Sequence, residues 1–333
     1  MKFALLSAWH VHTAGFVQKA IDAGSSCVCV WDIDETRGKR TAEKFETSFI
    51  DDLDEVLSNP EVQAVVVEAP TTMHKEIIIK AANAKKHIFT DKALTLSVKD
   101  ALEIKSVIQE NKVKYALSLE SKAHDIYIYA KKVVESGNLG QVVSAYFRRS
   151  HGGVIQGNLP KYWFDKEQTG GGATLDLGCH GLTLLPLFCG KPKKVTCLMN
   201  ELFKSGVDEQ STVVIEFENG ALGTSYTSFL GSKLDNFLEI VGTNGTLQII
   251  GSEDTEQSIY LQSNLLPEYK ERRQVSLSIL EESNPYPIEE FVNLVDQSNE
   301  MEIPGYDMDT SIMLTRLIEC AYESQEKRAT ITF

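Results

Sequence analysis

The stretch FALLSAWHVHTAGF, residues 3–16, decides how the first part of this chain is read. Four apolar residues, Phe3 to Leu6, run into a polar corner, and a helical pattern begins near Thr13. A strand, a tight turn and a helix at the start of a chain of 333 residues is the arrangement in which a dinucleotide-binding fold places Gly-x-Gly-x-x-Gly. Here the three glycine positions read Ser7, Trp9 and His12. The unit is legible, and its usual ligand-approaching glycines are absent.

Outward from that corner, short continuous apolar runs recur at 2–7, 27–32, 62–68, 86–90 and 113–119, with helical patterns near 13–23, 36–46, 74–84 and 97–110 between them. Such runs are typical of strands buried on both faces. Their alternation with helices predicts an α/β fold, a Rossmann-type doubly wound parallel sheet whose ligands sit beyond the carboxyl ends of the strands. After about residue 120 the pattern changes. A helix at 122–136 ends at Ser136-Gly137-Asn138, a strand follows at 141–149, and 194–262 reads as strands joined by turns at Glu218-Asn219-Gly220 and Thr243-Asn244-Gly245. Helices near 286–299 and 307–325 and a short strand, ATITF, close the chain. Two domains are expected, 1–120 and 121–333, the second α+β with an open, mostly antiparallel sheet of five or six strands.

Apolar residues make up 42% and charged residues 24%, enough for two cores in a soluble globular protein. A net charge of −14 repels nucleic acid and anionic membrane, and neither is expected as a partner. The basic residues come in scattered pairs (Lys85-Lys86, Lys131-Lys132, Arg148-Arg149, Lys193-Lys194, Arg272-Arg273) and read as solvated faces. No run approaches the roughly 18 apolar residues of a membrane span, and FALLSAW is too short for a secretory signal. Six cysteines without a Cys-x-x-Cys pair read as buried thiols of a cytoplasmic protein.

The strand ends supply the candidate site. Asp32, closing VWDID with Ile33 beside it, stands where a carboxylate accepts hydrogen bonds from an adenine ribose and repels a 2′-phosphate; the competing reading is that Asp32 or Asp34 caps the next helix. Pro70 turns the chain after the third strand, and Thr71 and Thr72 follow at a helix start. Lys92, after Asp91 at the end of the fourth strand, points toward the common cleft, although a lone lysine is usually solvated. In GGGATLDLGCHGLTLL, Asp176 and His180 are four apart and share one helical face behind three glycines. A carboxylate beside an imidazole sets up a general base, and a polar pair in so apolar a helix is costly without partners or a role. No metal site is expected, because there is no His-Glu-x-x-His and no third histidine at a useful spacing.

Two blocks resemble one family. HKEIIIKAANAKKHIFTDKALTLSVKDALEI is similar to the histidine-headed helix, strand and Glu-Lys-Pro of the glucose–fructose oxidoreductase, inositol dehydrogenase and rhizopine-catabolism (Gfo/Idh/MocA) family, and YWFDKEQTGGGATLDLGCHGLTLLPLFCG resembles its Trp, Gly-Gly-Gly and Asp-x-Gly-x-His segment. The resemblance implies an N-terminal Rossmann domain, and a C-terminal domain that binds substrate and forms oligomers. It implies NAD(P)-dependent hydride transfer at a hydroxyl-bearing carbon of a sugar, polyol or cyclitol. It carries Lys92 onto the contact to the reacting oxygen, His180 onto the general acid/base, and Asp176 onto the aspartate that bonds substrate or lysine. The cofactor-binding set it suggests is Ser7, Trp9, His10, His12, Asp32, Ile33, Pro70, Thr71, His74 and Asp91.

The sequence departs from that family in three places. Glu-Lys-Pro is Asp91-Lys92-Ala93, an aspartate three past the histidine is Thr183, and the fingerprint glycines are gone. The helix start at Thr13 and Ala14 still offers amides and a dipole to an anion. Trp9 is expected to turn its indole aside, with His10 and His12 near the mouth of the cleft. Histidines lining a substrate cleft, a metal site and loss of the cofactor remain as other readings of AWHVH. NAD is expected over NADP, and a homodimer or homotetramer through an exposed sheet face. The alternatives are a non-catalytic dinucleotide- or sugar-binding regulator and a glycosidase that uses NAD transiently.

Overall fold

The computed structural model describes residues 1–251, 256–280 and 284–333. Residues 252–255, inside the stretch expected to be strands, lie outside the described residues. The chain divides into two compact units, Met1–Leu119 with Pro285–Thr315, and Glu120–Asn284 with Arg316–Phe333.

In the first unit, β1 (Lys2–Leu6), β2 (Ser26–Trp31), β3 (Ser48–Phe49), β4 (Ala64–Val67), β5 (His87–Thr90) and β6 (Tyr115–Leu117) alternate with helices α1 (Thr13–Asp22), α2 (Glu35–Lys44), α3 (Leu53–Ser58), α4 (His74–Asn83) and α5 (Val98–Asn111). Among the described residues the sheet is six-stranded and parallel, in the order β3-β2-β1-β4-β5-β6. The order reverses between β1 and β4, which opens a crevice at their carboxyl ends. Burial explains the continuous apolar runs: Ala4, Leu5, Leu6, Val65, Val66 and Val67 are all fully buried. β3 and α3 are too short to have shown a period in the sequence.

Pro285–Thr315 returns to this unit. Its helix α10 (Pro287–Gln297) lays Phe291 against Phe89, ring centroids 5.7 Å apart. Tyr115 and Leu117 of β6 donate their amides to Met301 and Tyr306 carbonyls at 3.1 and 2.9 Å, so the returning chain covers the sheet edge. Lys114 Nζ reaches the carbonyls of Leu294 (2.6 Å), Ser298 (2.7 Å) and Val295 (3.4 Å) at the end of α10. A helix end leaves such carbonyls without intrahelical donors and carries a partial negative charge.

In the second unit, α6 (Asp125–Glu135), β7 (Val142–Ser150), α7 (Lys166–Thr169), α8 (Ala173–Asp176) and α9 (Gly178–Cys189) precede β8 (Pro192–Asn200), β9 (Gln210–Phe217), β10 (Leu222–Ser228), β11 (Asp235–Gly242), β12 (Gly245–Ile250), β13 (Ser258–Ser263) and β14 (Arg273–Val275); the latter part of α11 (Met308–Lys327) and β15 (Ile331–Thr332) complete it. Among the described residues its sheet has nine strands, in the order β14-β13-β12-β11-β7-β10-β9-β8-β15. The β7–β10 pair is parallel and the other pairs are antiparallel. The expectation of five or six strands is corrected to nine among the described residues; β14 spans only three residues, too few to show a pattern. α9 packs on β7 and β10 through Gly181, where a Cβ would stand 2.2 Å from Ser225 Oγ. By strand alternation and register, Leu198, Val214, Leu222 and Ile250 share one face of the sheet, and they are exposed by 75, 37, 51 and 41%.

Replacing Lys114 by Met removes a charged donor from three carbonyls, which should lower stability by about 1.5–3 kcal/mol. Urea denaturation followed by circular dichroism measures it, and an unchanged midpoint would mean that water serves those carbonyls equally well.

Candidate functional site

In the first unit the corner after β1 keeps the conformation of the missing glycine. Ser7 has φ +71°, the left-handed region that glycine adopts without strain. Its N–H bonds Trp31 O at 2.6 Å, its Oγ donates to Asp32 Oδ2 at 3.2 Å, and the same Oγ accepts the Trp9 amide at 3.2 Å. Asp32 is 4% exposed. It also takes the amides of Ala8 (2.8 Å) and Asp34 (2.9 Å) and both arms of Arg37, Nε at 2.9 Å and Nη2 at 2.6 Å. The carboxylate expected at a ribose is therefore the anchor of the turn, and Arg37 covers it. Asp34 caps α2 by accepting the Arg37 amide at 2.9 Å, which holds its carboxyl below the usual range. Ile33 beside it is 52% exposed.

Trp9 is buried. His10, expected near the mouth, is instead turned inward: it is 7% exposed, with Nε2 3.1 Å from Asp91 Oδ2. His12 is exposed at the start of α1; no side chain caps that helix and its first turn holds no acid. The end of α1 thus stays suited to an anion.

The loop after β4 turns at Pro70 and forms a single 3-10 turn over Thr71–Met73. His74, expected at the cofactor, is fully buried and spends its ring on backbone. Nε2 contacts Ala69 O at 2.9 Å, and Nδ1 contacts Ala93 O and Leu94 O at 3.0 and 3.1 Å. Burial pushes its pKa down. His74 clamps the loop after β5 to the loop after β4, and so holds the segment carrying Asp91 and the half-buried Lys92. The Lys92–Ala93 peptide is cis. Asp91 is 2% exposed, and burial drives its pKa up against the opposing charge of Lys92. Glu68, wholly buried at the end of β4, was missed in the sequence. Its one signal was an acid directly following the four apolar residues of that strand.

In the second unit Asp176 ends α8 and His180 lies in the first turn of α9, with Leu177 between the helices. His180 Nδ1 meets Ser121 Oγ at 2.6 Å. Asp176 accepts from the indole of the buried Trp163 at 3.4 Å. Thr183 is buried. The glycines before α8 serve the protein itself. A Cβ on Gly172 would stand 2.1 Å from Asp208 O, and one on Gly171 2.1 Å from the Tyr322 hydroxyl. Asp208 takes the amides of Gly172 (2.7 Å) and Thr174 (2.8 Å) on its carboxylate and that of Ala173 (2.7 Å) on its carbonyl, while Tyr322 Oη donates to it at 2.8 Å. Ser121 and Asp208 had no sequence signal, since both come from distant segments.

Residues 6–119 match the model of an oxidoreductase family with an NAD-binding Rossmann fold, and residues 127–248 match the GFO/IDH/MocA C-terminal domain. Together these cover more than two thirds of the chain, and the chain belongs to the Gfo/Idh/MocA family. It is 28% identical over 66% of its length to a 2,7-anhydro-N-acetylneuraminate hydratase of Escherichia coli strain K12, covering 60% of that protein. It is 29% identical over 68% of its length to a scyllo-inositol 2-dehydrogenase (NAD(+)) of Bacillus subtilis strain 168, covering 66% of that one. The chain thus spans less than two thirds of either relative. A levoglucosan dehydrogenase solved with NADH and levoglucosan shares the fold with a TM-score of 0.85 at 17% identity, over 100% of this chain and 98% of that one. The expected kinship, fold class and NAD cofactor agree with these matches.

Two variants probe the corner. Ser7→Ala keeps the strained Cβ and loses both hydroxyl contacts, so it should cost about 1–2 kcal/mol, whereas Ser7→Gly also relieves strain and should stay within about 1 kcal/mol of the wild type. Urea unfolding of the pair tests this, and equal losses would refute it. Asp32→Asn unpairs Arg37 and should raise affinity for NADP relative to NAD by about tenfold, a change of about 1.4 kcal/mol at the 2′-phosphate. The two dissociation constants, measured by calorimetric titration, give the ratio.

Proposed function

We propose that this protein is an NAD(P)-dependent oxidoreductase that moves a hydride between nicotinamide and a hydroxyl-bearing carbon of a sugar, polyol or cyclitol. Among the relatives, one is a scyllo-inositol 2-dehydrogenase and one solved neighbour a levoglucosan dehydrogenase, which supports this class. The observation that carries the reading is the turn after β1. Its left-handed corner at Ser7, tied to Asp32, and the uncapped, acid-free start of α1 keep a place for a pyrophosphate without any glycine. On this reading the Pro70–Thr71 loop and Ile33 border the cofactor.

When bound, NAD supplies the hydride acceptor. His180, its Nδ1 fixed by Ser121, takes the hydroxyl proton as the carbon gives up its hydrogen with the bonding pair. With the cofactor bound, the C–H pair would leave to it and the O–H proton would pass to the His180 imidazole, so that the C=O bond closes in balance. Lys92 donates to the oxygen as charge builds on it. Asp176 hydrogen-bonds the substrate.

A second reading comes from the relative named a hydratase, a net reaction without oxidation or reduction. There the hydride is returned to the same substrate, as in the NAD-using glycosidases that the family resemblance suggested. NADH accumulation against a panel of polyols and anhydrosugars separates the two, because the second consumes substrate and leaves NADH flat.

The open sheet face of Leu198, Val214, Leu222 and Ile250 supports a homodimer or homotetramer. No helix among the described residues is long and apolar enough to cross a membrane. All six cysteines are free thiols, which supports a cytoplasmic setting, and the acidic charge argues against nucleic acid and membrane as partners.

Against a substrate found in that panel, His180→Ala should lower turnover by roughly 10²–10⁴-fold. Ser121→Ala, which loses one hydrogen bond of about 1 kcal/mol, should lower it about fivefold. Steady-state rates decide, and unchanged turnover in His180→Ala would show that another group moves the proton.

A further inference from the structure

The carboxyl ends of β1, β4 and β5 meet around three buried side chains. His10 comes from the turn after β1, its amide on the Glu68 carbonyl at 3.2 Å. Glu68 follows β4 and is 0% exposed; Asp91 follows β5 and is 2% exposed. His10 Nε2 stands 3.1 Å from Asp91 Oδ2, and Nδ1 stands 4.0 Å from Glu68 Oε2. One donor atom from each of the three residues lies within 4.8 Å of the other two.

Two carboxylates are buried beside one imidazole, with the charges of Lys92 and His12 acting on Asp91, and removing carboxylates from water is costly unless cations or hydrogen-bond donors face them. Both Asp91 oxygens are sealed from solvent, and His10 Nε2 and the charge of Lys92 face the carboxylate. Thr13 Oγ1 reaches Glu68 Oε2 at 3.3 Å, and the His12 amide reaches His10 Nδ1 at 3.3 Å. The cluster also borders the turn where the proposed function places a pyrophosphate, and negative charge on its two carboxylates would repel it.

We propose that His10, Glu68 and Asp91 bind one divalent transition-metal ion, Zn²⁺ or Mn²⁺. One imidazole nitrogen and two carboxylate oxygens form a mixed set that suits these ions and is less suited to Ca²⁺ or Mg²⁺, which prefer oxygen alone. Bonds of roughly 2.0–2.2 Å put neighbouring ligand atoms about 3–3.5 Å apart, the range of the His10–Asp91 contact. Nε2 is the nitrogen offered, and on binding its proton passes to solvent or to Nδ1, displacing the His12 contact. The ion balances the two carboxylates and sets a positive charge at the corner that lost its glycines. Only this last consequence rests on the dinucleotide reading; the ion site stands on the three side chains.

The test uses the full chain, stripped with EDTA, dialysed and titrated with ZnCl₂ or MnCl₂ without nucleotide. Expected are one ion per chain by elemental analysis and, at 100-fold excess over the dissociation constant, a rise in Tm of roughly 5 °C or more. Glu68→Gln and Asp91→Asn, close in shape to the originals, should each weaken binding at least tenfold, with far-ultraviolet circular dichroism confirming that they fold. Failure of the wild type to take up either ion overturns the proposal, and the two carboxylates then hold a proton instead. Uptake that survives in both variants also overturns it, by placing the ion on other histidines. Should neither variant fold, His10→Gln decides: loss of the bound ion places it on His10, and an undiminished one ion per chain refutes the site. A separate NAD titration of stripped protein shows whether the dinucleotide reading fails independently.

Discussion

The grip on Asp32 is the constraint from which the first unit's ligand end is built. Five donors from Ser7, Ala8, Asp34 and Arg37 converge on one nearly buried carboxylate. Ser7 is thereby held at a positive φ that a serine adopts only at a cost of about 1–3 kcal/mol. With that corner fixed, α1 starts where its dipole and first amides face the crevice at the reversal of strand order. The glycine at this position of a dinucleotide fold acts through its backbone conformation, and a serine bonded to a buried acid reproduces it.

The second unit uses the same device. Asp208 gathers three successive amides at the start of α8, and the hydroxyl of Tyr322 steadies it from α11. Burial and the neighbouring carboxylate push that hydroxyl's pKa well up, so it remains a donor. The close approach at Gly171 and Gly172 is what lets Asp208 and Tyr322 reach the chain. The glycine run therefore shapes the segment bearing Asp176 and His180 from behind, through the protein's own groups rather than by admitting a ligand. In both units a carboxylate takes the place in which an outside anion might be sought, and the chemistry-bearing side chains follow it in sequence.

Histidines divide the labour in a way that residue type alone does not reveal. His74 lies with carbonyls of two loops against its ring nitrogens, and its N–H ties the ring to one of them. His10 Nε2 meets Asp91, and His180 Nδ1 meets the Ser121 hydroxyl. The neighbours, and not the residue type, set what each imidazole can do.

What the sequence determined by itself was everything that repeats locally. The alternation of apolar runs and helical patterns set the parallel sheet, the turn signals after residue 190 set the antiparallel one, and the blocks around Lys92 and His180 carried the family. Periodicity reports burial along a single element, so these survived into the structure with boundaries moved by up to three residues. What only the tertiary structure decided was which distant groups meet. Residues 285–315 return to cover the edge at β6, Arg37 closes over Asp32, Ser121 holds His180, and Glu68 joins His10 and Asp91. Each of these joins segments that no local pattern links, because desolvation and hydrogen-bond satisfaction act on what lies adjacent in space, and a sequence orders residues only along the chain.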